Sequence, residues 1–500
     1  MPKKSFIVYN KKSGKIQNII KSNNVQALSL FVEKYCKNRN NRFLHDIYSK
    51  NDAKLKRVGL IKRDYSIDEI GKLEIDCPGQ SEVLFDKDSV KGIPLVIDGL
   101  FAQKTGYSYL AKELTKGLIN TDLDVHFLDD FNTIEKAFDE EQSNKMLKKS
   151  LTYKDLSLSE KDFSSLGFHH PFLQRNKNKY NMIYTMIESY TLNKRTVQIM
   201  DSCYDKFIVP TNFVKNILTQ YLNENRVEVV PLGIDKEKIN PNIEKEQECT
   251  FKKFDFDTRI FEPTHEKPSG LKFLYVGRFS HRKGTDLALQ SFMEEFSNKD
   301  DVSLVMFVLS EFDEGMGHMY KNIHSILSKW HGKKHAPIFI SDELRPSSKQ
   351  YLPYSWGDVF LFPSRGEGFG LTPLEAGASG MPLICSNNSG LSDFIDESNS
   401  FVIEADKICN IGRNIKGYYT GSYPEWSHDS FHDHMDNVKF PIMNSMKMIQ
   451  GIGKQMRYVY NIYGSDIIKK KTDNMLKMID DRYLWPYCRK KMYETLKRII

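Results

Sequence analysis

Val359-Phe360-Leu361-Phe362-Pro363-Ser364-Arg365-Gly366-Glu367-Gly368-Phe369-Gly370-Leu371-Thr372-Pro373-Leu374-Glu375 is the most informative stretch of the chain. The apolar run Val359–Phe362 reads as a buried strand, a glycine-rich loop follows, and a helix is expected to start near Thr372. Gly366, Gly368 and Gly370 allow the backbone to approach a ligand closely and to adopt positive φ. Pro373 suits the first helical position, where its missing N–H is no loss. The helix mouth then presents free N–H groups and a positive dipole end, which suit a phosphate. Glu375 has two readings. Thr372-Pro373-Leu374-Glu375 fits a capping box with Thr372 as N-cap, and the same carboxylate could also serve a ligand, since it has several acceptor sites. Glu367, flanked by glycines at a strand end, has no such structural excuse and is placed for a substrate.

Working outward, the same strand–helix alternation fills most of the chain. Leu271–Val276, Val302–Leu309, Ile338–Ile340, Val359–Phe362 and Leu383–Cys385 read as strands. Leu289, Phe292, Met293 and Phe296 line one intervening helix, and Ile323, Ile326, Leu327 and Trp330 another. Upstream, Ile93–Ile97 is a strand, followed by a loop over Asp98–Thr105 and by Gly106 at a helix mouth, with Tyr109, Leu110, Leu114 and Leu118 as the helical stripe. Strands at Val125–Leu128, Met182–Met186, Phe207–Val209 and Val227–Val230 continue it, with helices through Met200 and from Asn212 to Tyr221 between them. Alternation of this kind implies parallel sheets covered on both faces. The expected class is α/β, with two doubly wound domains in series and a site in the cleft beyond the strands' carboxyl ends. The boundaries read as an N-terminal extension over 1–90, a first domain over 91–235, a charged linker over 236–270, a second domain over 271–445 and a helical tail over 446–500.

The extension offers a β-hairpin (Phe6–Tyr9 with Ile16–Ile20) and a helical pattern from Asn23 to Cys36, without a catalytic constellation. Its charge is one-sided: residues 1–80 hold 17 Lys/Arg against 8 Asp/Glu, while the whole chain is at +7. That excess is read as a solvated surface rather than a nucleic-acid face, which would need interleaved aromatics. Apolar residues at 40% and charged residues at 27% exclude a disordered chain. The apolar runs are too short for the ~20 residues that span a bilayer. No apolar signal core follows Lys3 and Lys4, and the seven cysteines are scattered singly. The expectation is a reduced, cytoplasmic setting without zinc ribbon or disulfide framework. In the tail, Lys469–Lys471 and Arg489–Lys491 with Trp485, Tyr487, Leu496 and Ile499 offer a peripheral contact with an anionic membrane. His169 and His170 sit in a polar stretch and read as structural or solvated.

A second loop, Tyr275-Val276-Gly277-Arg278-Phe279-Ser280-His281-Arg282-Lys283-Gly284, also joins a strand end to a helix start. Arg278, Arg282 and Lys283 fall at one sheet edge. Arginine's fork and lysine's compact charge both suit a diphosphate whose charge grows as a bond breaks.

Taken together, Gly277-Arg278, Lys283-Gly284 and the run from Pro363 to Glu375-Ala376 resemble the retaining nucleotide-sugar glycosyltransferases of the GT-B fold, glycosyltransferase group 1. Their Glu-x7-Glu pair matches Glu367 and Glu375. Val230–Asp235, Val209–Phe213 and Gly106-Tyr107 extend the resemblance over residues 92–400, and more weakly into the tail, which the resemblance implies crosses back to pack on the first domain in preference to a membrane contact. The resemblance implies that Arg278 and Lys283 bind the donor diphosphate and that Glu375 holds the ribose hydroxyls. Glu367 and the backbone of Gly368, Phe369 and Gly370 would contact the transferred sugar, with Leu371 and Thr372 at the donor-side helix mouth. Gly106 would let the first domain close over the phosphates. Where many relatives carry a histidine, Tyr184–Ser189 resembles a subgroup with a glutamate, here Glu188, on the acceptor side. Retaining transfer of a hexose to a glycan, lipid-linked or protein-glycan hydroxyl is the implied activity. The leaving diphosphate helps take the acceptor proton, and neither a metal nor a cofactor beyond the nucleotide-sugar donor is obligatory. A nucleotide-sugar epimerase on the same fold and a non-catalytic glycan- or nucleotide-binding protein are the alternatives.

Overall fold

Residues 5–10, 16–21, 65–70, 93–99, 101, 106–129, 134–152, 163–169, 180–192, 194–258, 260–309, 315–327, 334–342, 351–405, 407–410, 439–442 and 446–500 are described in a computed structural model of the chain. In the N-terminal extension, β1 (Ser5–Asn10) and β2 (Ile16–Lys21) form the expected antiparallel hairpin, with Phe6 opposite Ile20. A third strand, β3 (Tyr65–Ile70), pairs antiparallel with the other edge of β1. The helical pattern at 23–36 lies outside the described residues.

The first domain is a seven-stranded parallel sheet. Its strands are β4 (Leu95–Asp98), β5 (Val125–Leu128), β6 (Ser150–Leu151), β7 (Ser164–Phe168), β8 (Tyr180–Tyr184), β9 (Lys206–Val209) and β10 (Val227–Val229), in the order β10-β9-β8-β7-β4-β5-β6. The sequence pattern passed over β6 and β7, because Ser164 and Ser165 interrupt the apolar run although Ser164 is itself buried. Helix Gly106–Lys116 follows β4, so the chain turns helical at the expected glycine.

The second sheet has the order β12-β11-β15-β14-β13-β16-β17-β18. Its parallel part is β13 (Leu271–Arg278), β14 (Val302–Leu309), β15 (Ile338–Ser341), β16 (Val359–Phe362), β17 (Leu383–Ser386) and β18 (Phe401–Ile403). Each of β15, β16 and β17 is buried at every position, as expected for strands covered on both faces. Segment 236–270, irregular by its sequence, carries β11 (Phe251–Phe254) and β12 (Phe261–Thr264), an antiparallel hairpin that extends this sheet beyond β15. Its alternating charges hide four aromatic anchors: Phe251 packs edge-on against Trp356 and Phe339, and Phe254 edge-on against Phe256 and tilted against Phe261.

Three helices close the chain. Met446–Asn461 lies on helix Thr285–Glu295, where Arg457 reaches Glu295 (2.9 Å) and Asp300 (2.6 Å). Asp466–Arg482 packs on helix Leu371–Ala378, and Trp485–Ile499 packs on helix Gly106–Lys116 of the first domain. There Arg489 Nε donates to the Glu113 carbonyl (2.9 Å) and Tyr493 to Asp122 (2.6 Å). This packing removes two of the residues offered for a membrane: Trp485 and Leu496 are core, while Tyr487 stays exposed. No helix among the described residues is long and apolar enough to cross a membrane.

Candidate active site

β13 and β16 are adjacent and parallel, with Phe273 opposite Val359, while β14 runs on the other side of β13. Strand order therefore reverses at β13, and the loops after β13 and β16 leave the sheet side by side. This is where an open α/β sheet forms a ligand crevice. Lys283 comes from the first loop and Glu367 from the second. Lys283 Nζ donates to Glu367 Oε2 at 2.7 Å, Ser364 Oγ donates to Oε1 at 2.9 Å, and Arg282 Nη1 lies 3.5 Å from Oε1. The Glu367 main chain is fixed as well: its N–H donates to Ser389 Oγ, and its carbonyl accepts from the Gly390 N–H. Burial acts to raise the Glu367 pKa, but Lys283 and Arg282 outweigh it and hold the carboxyl below its ordinary value. For Lys283 burial wins, and its pKa is lowered despite Glu367.

The first domain contributes to the same cluster. Glu188, in the turn after β8, has a carboxylate 3.9 Å from Arg282 Nη2, so Arg282 stands between carboxylates of both domains. Burial pushes the Glu188 pKa up, Arg282 opposes this, and Glu367 adds to it. Tyr107, one residue into the helix that begins at Gly106, accepts the Met186 N–H on its hydroxyl at 2.9 Å and so anchors the turn that carries Glu188.

Two glycines of the loop are required by space and conformation. A Cβ on Gly368 would sit 2.7 Å from Met186 Cβ of the first domain, and Gly370 has φ 108°. Gly370 also corrects the capping-box reading. The helix runs Leu371–Ala378 with Gly370 at the N-cap and no side-chain cap. The left-handed glycine starts the helix before Thr372, so Pro373 is its third residue and Glu375 its fifth. Freed from a capping role, Glu375 accepts from the Tyr354 hydroxyl at 2.5 Å and is buried. Phe369 is fully buried against Phe394 and Tyr483, which leaves its main chain for a donor. Leu371 and Thr372 are partly exposed at the helix start, and Arg278 is partly buried at the end of β13. His169 is buried beside the Tyr204 ring, in keeping with a structural role. His170 lies outside the described residues.

Several contributors were not read from the sequence. Arg365 has no exposed surface and forms a bidentate pair with Asp286 at 2.8 and 2.9 Å, tying the Glu367 loop to the helix that follows Lys283. Its place inside the glycine-rich loop was the available signal; Asp286 and Tyr354 gave none. Across the domains, Asp393 accepts from the backbone N–H groups of Asn212 (2.6 Å) and Phe213 (3.1 Å), at the start of helix Asn212–Leu218. Thr211 Oγ1 donates to the Gly368 carbonyl at 3.1 Å, and the Ser389 N–H donates to the Tyr190 hydroxyl at 3.0 Å. The two halves of the site thus meet through two loops of each domain. Among the described residues, no group of three or more His, Cys, Asp or Glu side chains is arranged to hold a metal ion.

Residues 256–419, which carry both site loops, match the family model described as glycosyl transferases group 1. The second domain is similar to the group 1 glycosyl transferases. The lipopolysaccharide core biosynthesis mannosyltransferase LpsB of Rhizobium meliloti is 26% identical over 168 residues, covering 30% of this chain and 45% of that protein. The alpha-1,3/1,6-mannosyltransferase ALG2 of Dictyostelium discoideum is 27% identical over 206 residues, covering 38% and 46%. The chain thus spans about half the length of the curated relatives it matches. Among solved structures, a glycosyltransferase from Rickettsia africae superposes with a TM-score of 0.53 at 13% identity, over 82% of this chain and 99% of that one. Anabaena HepE, solved with UDP and glucose, does so with 0.52 at 9% identity, over 81% and 100%. At such identities the likeness concerns the fold, and the second domain with its partner sheet has the two-domain GT-B arrangement.

Proposed function

We propose that this chain transfers a hexose from a nucleoside-diphosphate sugar to an acceptor hydroxyl, with retention at the anomeric carbon and without a divalent metal. The observation that carries the reading is the Glu367 carboxylate. It is flanked by glycines, gripped by Lys283 and Ser364, and set where adjacent strands open a crevice toward Glu188 of the other domain. In this reading Lys283 and Arg278 neutralise the diphosphate as the glycosidic bond breaks, with the N–H groups at the start of helix Leu371–Ala378 beside them. Glu375 takes the ribose hydroxyls, and Glu367 orients the sugar. The departing diphosphate receives the acceptor proton on the face from which the acceptor attacks. Glu188 lines the acceptor side. That LpsB and ALG2 are named mannosyltransferases, and that HepE holds UDP and glucose, supports a nucleotide-sugar donor.

The test is product analysis with UDP- and GDP-hexoses and a panel of glycan and lipid-linked acceptors. A new glycoside whose anomeric configuration by NMR equals that of the donor is expected. An inverted product would remove the retaining assignment. Release of an epimerised nucleotide sugar would favour the epimerase, and tight nucleotide binding without turnover would favour a binding protein.

A further inference from the structure

Glu375 is held in a way that the glycine-rich loop does not explain. Its partner, Tyr354, comes from a separate 3-10 turn, Leu352–Trp356, between β15 and β16, and every residue of that turn is buried. The turn is pinned from several sides. Ser355 Oγ donates to the Leu352 carbonyl at 2.7 Å, and Trp356 Nε1 donates to the Gln247 carbonyl at 2.8 Å. At its start the Tyr351 hydroxyl lies 3.3 Å from that of Tyr109 in the first domain, and Trp485 Nε1 donates to Tyr109 at 3.4 Å. The Tyr354 ring is itself enclosed, with Phe360 of β16 at 6.3 Å. A hydroxyl on so fixed a ring fixes what it donates to. A carboxylate in a helix keeps rotational freedom about its last bonds, and a donor on a rigid ring restricts the orientation it takes.

We propose that Tyr354 is a positioning residue for the Glu375 carboxylate and thereby sets a preference for ribonucleotides over their 2′-deoxy counterparts. The inference rests on the reading that Glu375 receives the ribose hydroxyls. A carboxylate aimed at the 2′ and 3′ hydroxyls rewards a ligand that has both. One that has lost its aim binds both nucleotides at the weaker level.

The experiment is calorimetric titration of the full chain with whichever of UDP, GDP and ADP binds wild type most tightly, and with its 2′-deoxy form. Wild type is expected to favour the ribonucleotide by about tenfold or more, the scale of a hydrogen bond to a charged group. Glu375→Gln should bring that ratio close to one. Tyr354→Phe, which keeps the ring and its packing, should lower the ratio at least about threefold with the 2′-deoxy affinity nearly unchanged. A merely structural role would weaken both nucleotides together and leave the ratio at its wild-type value, which would overturn the proposal. A collapsed ratio in Glu375→Gln beside an unchanged one in Tyr354→Phe would overturn the role of Tyr354 alone. An unchanged ratio in Glu375→Gln, or no preference in wild type, would overturn the ribose reading and the proposal with it. The fitted stoichiometry reports the folded fraction of each variant, so a poorly folding sample does not mimic any of these ratios.

Discussion

Lys283 Nζ and Glu367 Oε2 are 2.7 Å apart at the ends of loops that leave neighbouring strands. The ion pair joins the two groups read as diphosphate cation and sugar carboxylate. A donor entering the site exchanges part of this internal neutralisation for its own phosphates. Lys283→Ala therefore removes a preorganised charge and leaves a buried carboxylate with less support. The expected loss in kcat/KM is about 2.7 to 4 kcal/mol, roughly a hundred- to a thousandfold. Steady-state kinetics with a purified nucleotide sugar checks it, and an unchanged rate would remove Lys283 from the clamp.

The same pair predicts a pH dependence. Burial lowers the Lys283 pKa below the ordinary 10.5, so its charge is complete at low pH and is lost as pH rises through that depressed value. Nucleoside diphosphate affinity should fall on the alkaline side earlier than for an ordinary lysine. Lys283→Arg keeps a cation at every accessible pH, so its alkaline fall should be shallower than that of wild type with the same nucleotide. Parallel profiles for the two proteins would show that another group titrates.

Arg365 and Asp286 make a different kind of pair: bidentate, with the guanidinium fully buried and the carboxylate largely so. Burial raises the Asp286 pKa, but Arg365 and His281 more than offset this and hold it well below the carboxylate range. Its stabilising contribution is then complete above the ordinary value of about 3.9 and is lost only as pH falls through the depressed one. Arg365→Met strands a largely buried carboxylate, at a cost of about 3 to 5 kcal/mol. Denaturant titration should show a larger gap from wild type at pH 7 than at pH 5, because the stranded Asp286 carboxyl can take up a proton in the variant. Arg365→Met combined with Asp286→Leu should recover much of it. A gap below about 1 kcal/mol for the single variant would mean that water reaches Asp286.

How much of this was legible follows from what the sequence pattern can carry. Apolar runs such as Val302–Leu309 and Val359–Phe362 announce themselves, because strands buried on both faces leave little room for polar residues. β7 did not, since buried serines look like loop residues, nor did the β11–β12 hairpin, whose phenylalanines are separated by lysines and aspartates. Within the site, residues in the strand-to-helix loops were readable because glycine spacing marks them. Tyr354 was not, since its role depends on a turn whose approach to Glu375 is set by tertiary packing. The capping-box reading failed for a local reason: Thr372 fits the pattern, but Gly370 reaches a left-handed conformation first and opens the helix earlier.

Metal independence is a separate expectation. Lys283 and Arg282 already bring two cations to the Glu367 edge of the crevice, so neutralisation of a leaving diphosphate does not need a third from solution. Transfer should persist in excess EDTA at close to its untreated rate. Abolition by EDTA with recovery on adding Mg²⁺ or Mn²⁺ would overturn the metal-free clamp.

The final expectation concerns domain closure. Helix Asn212–Leu218 begins with N–H groups that its own turns cannot satisfy. Thr211 Oγ1 takes the Val214 N–H, while Asp393 of the opposite domain takes those of Asn212 and Phe213 and, at 3.1 Å, the Asn212 side chain. A carboxylate at a helix N-terminus gains from the dipole as well as from the hydrogen bonds, so this contact favours the arrangement in which Gly368 meets Met186 and Glu188 reaches Arg282. Asp393→Ala should release about 1 to 2 kcal/mol of that preference. The free protein should then show a larger radius of gyration by small-angle scattering, and donor affinity should fall by about tenfold. Saturating donor should restore compaction, because it supplies its own bridge between the domains. A variant that scatters like wild type and binds donor equally well would show that the carboxylate caps the helix without governing closure.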